Sequence, residues 1–116
     1  MSSPVADLEV EPAQVARSLD EDPSVQVVDV REDHEWEDGR IAGTRHIALG
    51  ELTGRAATID RARPVVFYCR VGARSAMAAQ AFRASGYEAY SMRGGIVQWA
   101  AEGRPLEPDG GRVADH

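Results

Sequence analysis

The sequence predicts an α/β fold in which a mostly parallel central sheet is flanked by helices on both faces. Two observations predict it. Short apolar, β-branched runs alternate along the chain with stretches of helical periodicity, which is the pattern of parallel strands joined by crossover helices. The chain also has 116 residues, a length that suits one domain with a single core and no disulfides.

The first half of the chain contains the clearest strand. Residues 1–7 are expected to be a flexible lead-in, and Pro12 then opens a helix in which Val15 and Leu19 share one face. Val25–Val30 is rich in β-branched residues, which predicts a strand. The remaining elements of this half are short or interrupted: a charged helix over 32–37, a strand over 45–48, and a helix over 49–59 that two glycines weaken.

The second half contains a strand that is expected to lie at the centre of the sheet. Residues 64–68 form a continuous apolar run, typical of a strand buried on both faces. The alanine-rich segment 73–84 predicts a helix that stops at Gly86. The last elements are a strand over 88–92, a helix from Gly94-Gly95 to about Gly103, and a polar tail over 107–116, so that the domain itself spans 8–106.

The composition argues against several classes of function. The net charge is −6 and every cationic side chain is arginine, so binding to nucleic acid or to an anionic membrane is not expected. One cysteine excludes an internal disulfide and a multi-cysteine zinc site, and the scattered His34, His46 and His116 make no metal site. Neither a cofactor nor a membrane span is expected, and the lone thiol and the absence of a signal peptide favour the cytoplasm.

The only cysteine lies where a reactive thiol would be placed. Cys69 ends the apolar run of the central strand, at the edge of the sheet where ligands bind in α/β folds. A helix N-terminus and neighbouring cations favour the thiolate form of such a cysteine, and successive backbone N–H groups can bind an anion. We therefore expect Cys69 to be catalytic and the loop after it to bind a small anionic substrate; its residues are Arg70, Val71, Gly72, Ala73, Arg74 and Ser75.

Other polar residues near this edge are assigned to structural support. Asp29 and Arg31 follow the first buried strand near the same end of the sheet, and a structural role in an ion pair or hydrogen bond is favoured over direct catalysis. Glu35 is expected to be structural as well. For Cys69 itself, the alternative interpretation is a buried, inert thiol, but such a thiol does not require arginines beside it.

Motifs in family order, from about residue 8 to residue 106, resemble those of the rhodanese-like domain family. Besides the cysteine loop, the matching segments are Val27–Arg31, Glu35, Gly39–Thr44, His46–Leu49, Arg93–Trp99 and Gly103–Leu106. Each motif is weak alone, but their order and spread make the resemblance specific. Two departures are Arg40, where the family usually has histidine, and the alanines Ala42 and Ala48, which replace its usual prolines. These changes are expected to alter loop stiffness and surface charge.

The resemblance implies a rhodanese-like fold and a single-domain sulfurtransferase. The Cys69 thiolate would attack the outer sulfur of thiosulfate or a similar donor, and the resulting persulfide would pass its sulfur to cyanide, a thiol or an acceptor protein. One alternative is a persulfide carrier or binding module that serves a sulfur-trafficking pathway. A cysteine phosphatase or arsenate reductase is disfavoured, because the related phosphatase signature places one more residue between its cysteine and arginine than lies between Cys69 and Arg74.

Overall fold

A single parallel sheet organises the chain, as the computed structural model of residues 8–115 shows. The strands are β1 (Glu9–Val10), β2 (Gln26–Asp29), β3 (Arg45–His46), β4 (Val65–Tyr68) and β5 (Ala89–Met92). Their order across the sheet is β1-β5-β4-β2-β3, and every pair is parallel. The expected parallel sheet is confirmed, with β4 at its centre. The lead-in predicted over 1–7, and His116, lie outside the described residues.

Helices connect these strands and cover the two faces of the sheet. They are α1 (Pro12–Glu21), α2 (Asp33–Asp38), α3 (Leu52–Arg55), α4 (Ala73–Ala84) and α5 (Gly95–Ala101). Within residues 8–115, none of them is long and apolar enough to cross a membrane.

The central strand supplies side chains to a hydrophobic core on each side of the sheet. Because successive strand residues point to opposite faces, Phe67 packs with Phe82 of α4, whereas Tyr68 packs with Trp99 of α5. All four residues of β4 are buried, which explains why the sequence shows a continuous apolar run there. Cys69 belongs to the core on the α4 side.

Some predicted elements differ from the structure. The segment predicted as one helix over 49–59 is broken into a 3₁₀ turn at Leu49–Glu51, the short α3 and a second 3₁₀ turn at Ala56–Thr58. The strand predicted over 45–48 is limited to the two residues of β3. The short strand β1, which pairs with β5, was not predicted, since two residues give no readable alternation. By contrast, α4 has the bounds that the sequence predicted.

The C-terminal segment folds back across the domain. Arg40 and Glu107 form an antiparallel bridge with two backbone hydrogen bonds of 2.9 and 2.7 Å. Further along, the Arg112 N–H donates to the Asp38 carbonyl at 2.9 Å, and Ala114 is buried. Residues 107–115, which we call the C-terminal strap, therefore connect the end of α2 to the neighbourhood of Cys69.

Candidate active site

The Cys69 thiol lies at the carboxyl end of the central strand and is surrounded by hydrogen-bond donors. The Gly72 N–H donates to Sγ at 3.0 Å, and the Ser75 N–H donates to it at 3.4 Å. The Ser75 hydroxyl lies 3.4 Å from the same sulfur. Donors at the N-terminus of α4 thus converge on one atom, which is an arrangement that stabilises negative charge there.

Glycines allow the backbone to approach this sulfur closely. Gly72 has φ = 110°, a left-handed conformation that side chains disfavour, and this turn directs its N–H at Sγ. Gly95, at the start of α5, lies so close to the loop that a Cβ there would be 2.4 Å from the Arg70 carbonyl oxygen and 2.5 Å from that of Cys69. Only glycine fits at this contact.

The first turn of α5 fixes the loop by binding its carbonyl groups. The Ile96 N–H donates to the Cys69 carbonyl at 2.9 Å, and the Val97 N–H donates to the Arg70 carbonyl at 3.0 Å. These bonds occupy two loop carbonyls that would otherwise repel an anion, and they leave loop N–H groups free to face the sulfur. The sequence indicated the glycine pair before α5 but not this contact.

A buried pair of serines lies next to the Cys69 thiol. Ser75 and Ser91 are both fully buried, and their hydroxyl oxygens lie 2.7 Å apart. Ser91 is on β5, which neighbours β4 in the sheet. Ser75 lies in the first turn of α4, the helix that follows β4, and this brings the two serines together. The sequence analysis did not identify Ser91 as a site residue, because nothing in the sequence distinguishes one small residue within a short strand. It is placed to orient the Ser75 hydroxyl beside Sγ.

Arg74 is paired with a buried carboxylate from α2. Its guanidinium donates to both Glu35 oxygens, at 2.7 and 2.9 Å, and the Glu35 side chain is 1% exposed. Burial alone raises the pKa of Glu35, but hydrogen bonds from Arg74 and the Glu32 backbone outweigh it and bring this pKa down to about 2. The same pairing raises the pKa of Arg74. The sequence analysis assigned Arg74 to the substrate-binding loop and Glu35 to a structural role, but it did not predict that they form a pair.

Asp29 and Arg31 form a second ion pair, at the end of β2. Both are fully buried, and Nη2 of Arg31 lies 2.7 Å from Oδ2 of Asp29. The same Nη2 donates to the Gly39 carbonyl at 2.7 Å, which ties the end of β2 to the end of α2. The pair holds these two segments together in the interior of the domain, where the Arg31 guanidinium lies over the Tyr68 ring.

The rest of the loop faces outward. The side chain of Arg70 turns toward the C-terminal strap, where Nε donates to the Ala114 carbonyl at 3.0 Å and Nη2 lies 3.4 Å from the Asp115 carboxylate. Val71 is 52% exposed, and Ala73 is exposed as well. Among residues 8–115 there is no cluster of three or more histidine, cysteine or acidic side chains that could hold a metal ion.

Comparison with known proteins identifies the family. The model of the rhodanese-like domain matches residues 11–102. A sulfurtransferase of Allochromatium vinosum is 33% identical over 104 residues, which are 88% of this chain and 97% of that protein. YtwF of Bacillus subtilis, provisionally named a sulfurtransferase, is 30% identical over 97 residues, covering 84% of this chain and 94% of its own length. The chain therefore belongs to the rhodanese-like domain family.

Two further comparisons bear on fold and role. A rhodanese-related protein of Thermoplasma volcanium has a TM-score of 0.77 at 28% identity, covering 84% of this chain and 95% of that one. YrkF of Bacillus subtilis, provisionally named a sulfur carrier protein, is 36% identical over 72 residues, or 62% of this chain and 39% of its own length. The fold is the rhodanese-like fold, and the chain is a single small domain of sulfurtransferase type.

Proposed function

We propose that the protein transfers sulfane sulfur through a persulfide on Cys69. The thiolate attacks the outer sulfur of a donor, the S–S bond of the donor breaks, and the bonding pair leaves with the remainder of the donor, which is sulfite when thiosulfate reacts. The outer sulfur stays on Cys69 as a persulfide. An acceptor nucleophile then attacks this sulfur and regenerates the thiolate.

The observation that carries the proposal is the convergence of donors on Sγ. The N–H groups of Gly72 and Ser75 and the Ser75 hydroxyl lie 3.0 to 3.4 Å from the sulfur. These groups are preorganised, so they stabilise the attacking thiolate and the negative charge on the persulfide without rearrangement. In this proposal the loop from Arg70 to Ser75 forms the substrate-binding wall, and Asp29, Arg31 and Glu35 hold its base.

Thiosulfate or a similar sulfane donor supplies the sulfur, and cyanide, a thiol or an acceptor protein receives it. The proposal needs no cofactor, metal, nucleic acid or membrane. A single reactive thiol remains reduced in the cytoplasm, which is therefore the compartment that suits this chemistry.

Sulfur carriage is the second candidate function. It is favoured by the resemblance to YrkF, whose name describes a carrier. A carrier and an enzyme share the persulfide, and turnover separates them. A carrier loads quickly but transfers slowly to cyanide or small thiols, whereas an enzyme loads and unloads at similar rates with small acceptors.

The deciding experiment is the intact mass of the full-length protein before and after incubation with thiosulfate. We expect the gain of one sulfur atom, its removal by cyanide or reductant, and no gain in the Cys69→Ala variant. A mass gain that persists in Cys69→Ala contradicts the mechanism. Hydrolysis of an aryl phosphate without sulfur loading would instead support the phosphatase alternative.

A further inference from the structure

The helix α4 and the loop before it expose apolar side chains to water. Among residues 8–115, the two large apolar side chains with the highest exposure are Met77, within α4, and Val71, in the loop just before it, at 62% and 52%. A single exposed apolar residue is ordinary on a protein surface. Two of them beside one helix mark its outer face as unusual.

The outer face of α4 carries no charged side chain. Its exposed residues recur at helical spacing, which places them on one side of the helix; they are Ala73, Met77, Gln80, Ala81 and Ala84. Both arginines of the helix are held by their own domain. Arg74 is paired with Glu35, and Nε of Arg83 donates to the Ala89 carbonyl at 2.7 Å. Charged residues make up 28% of the chain, so a neutral face of this length suits an equally neutral partner surface better than a charged one.

The α4 face is also complementary to itself. When two copies of the helix pair antiparallel about a two-fold axis between positions 78 and 79, each residue lies opposite the one equally far on the other side of the axis. The facing residues are then Ala73 with Ala84, Met77 with Gln80, and the half-buried Ala76 with Ala81. Small residues meet small residues, which lets the helices approach to about 8 Å. The one long apolar side chain meets a long neutral one, and the axis repeats every contact, as an isologous interface requires.

We propose that the protein forms a two-fold symmetric dimer through the outer faces of α4, with Met77 at the centre of the interface. This inference concerns assembly and does not depend on the proposed function. Val71 extends the contact beyond the N-terminal end of the helix, where the same axis places it opposite Gly86 of the second copy. Because Val71 is two residues from Cys69, the dimer interface borders the candidate active-site loop.

The size and charge of the two copies set the expected affinity. Stable interfaces use about 20–30 residues on each side, whereas this one consists mainly of Val71 and the exposed residues of α4. The dimer is therefore weak, with an expected dissociation constant of about 10–100 µM. Each copy carries a net charge of −6, so the copies repel each other at long range while the interface itself holds no ion pair. Salt screens this repulsion, and the dimer is expected to tighten as the ionic strength rises.

Sedimentation velocity of the full-length protein over about 5–500 µM tests the inference, because the population of a reversible dimer depends on protein concentration. We expect a shift from monomer to dimer within this range, and a tighter dimer in about 0.5 M salt than in about 0.05 M salt. A protein that stays monomeric at every concentration overturns the inference. Association that weakens as salt is added also overturns it, because that result indicates an interface made of ion pairs.

Charge variants locate the interface. Met77→Glu places a carboxylate at the centre of the neutral face, so the dissociation constant is expected to rise at least about tenfold. Ala13→Glu, the same gain of charge at an exposed position of α1, is the matched control and should keep the wild-type constant. Gln80→Glu, one turn further along the same face, repeats the test if Met77→Glu impairs folding. Equal dissociation constants in the α4 variant and the α1 control would overturn the placement of the dimer on α4.

The antiparallel register is tested by mixing two variants. Position 77 of one copy faces position 80 of the other, so Met77→Glu and Gln80→Lys bring opposite charges together only when they form a mixed dimer. The mixture should associate about two- to threefold more tightly than either variant alone, as expected for a surface ion pair. A mixture that associates no more tightly than the separate variants would overturn this pairing of the two helices.

Discussion

Replacing Glu35 by glutamine is expected to destabilise the fold in a way that depends on pH. Glutamine keeps the shape of the protonated side chain but removes the charge that holds Arg74. The pKa of Glu35 falls from 4.5 to about 2 on folding, and each pKa unit corresponds to about 1.4 kcal/mol. The ionised carboxylate thus contributes about 3 kcal/mol to the free energy of unfolding at pH 7. Because Arg74 is partly exposed to water, which screens the pair, we expect about 2 kcal/mol.

The sign of the pH dependence follows from the lowered pKa. The stabilisation is fully present above pH 4.5 and is lost as the pH falls toward 2, where the folded protein also takes up the proton. Urea unfolding at pH 7 and at pH 3 measures this stabilisation. The difference in the free energy of unfolding between wild type and Glu35→Gln should be less than half as large at pH 3 as at pH 7. Glu37→Gln, an exposed change on the same helix, is the control. A loss of stability in Glu35→Gln that is no larger than in the control, or that does not change with pH, would refute the ion-pair argument.

Two further substitutions test the packing around the thiol. Gly95→Ala should cost more than about 2 kcal/mol in urea unfolding, because it combines a φ of 61° with a Cβ 2.4 Å from the Arg70 carbonyl oxygen. Gly103→Ala, with a φ of 75° and open space around the new Cβ, should cost only about 1 kcal/mol, and equal losses would refute the close-approach argument. Ser91→Ala frees the Ser75 hydroxyl and should slow persulfide loading severalfold with a stability loss of about 1 kcal/mol; an unchanged loading rate would show that this hydroxyl pair has no part in positioning.

The order of the main elements could be predicted because each carries a local signal. The apolar run of β4 is continuous since the strand is buried on both faces, and α4 has an uninterrupted stretch of alanine and other helix formers between Gly72 and Gly86. Short elements lack such a signal. β1 consists of two residues, and it becomes a strand only because β5 offers it a free edge.

The site could be predicted only as far as its residues are neighbours in sequence. Cys69 and the loop after it form one continuous segment, so the strand end, the glycine turn and the helix N-terminus can all be recognised together. The partners come from elsewhere: Glu35 lies 39 positions from Arg74, and Ala114 lies 44 positions from Arg70. The partners of Arg74 and Arg70 therefore depend on tertiary packing, and no local pattern encodes them, unlike the Asp29–Arg31 pair, whose members are two positions apart.

These distant contacts give the loop two distinct kinds of support. Carbonyl groups of Cys69 and Arg70 are bound by N–H groups of α5, which aims the remaining N–H groups at the sulfur. The charges of Arg70 and Arg74 are bound by the strap and by α2. Since the first kind acts on backbone direction and the second on side-chain charge, they separate experimentally. Changes at Gly95 should lower the loading rate with every donor, whereas neutralising Asp115 should change that rate more for the thiosulfate dianion than for a donor of lower charge.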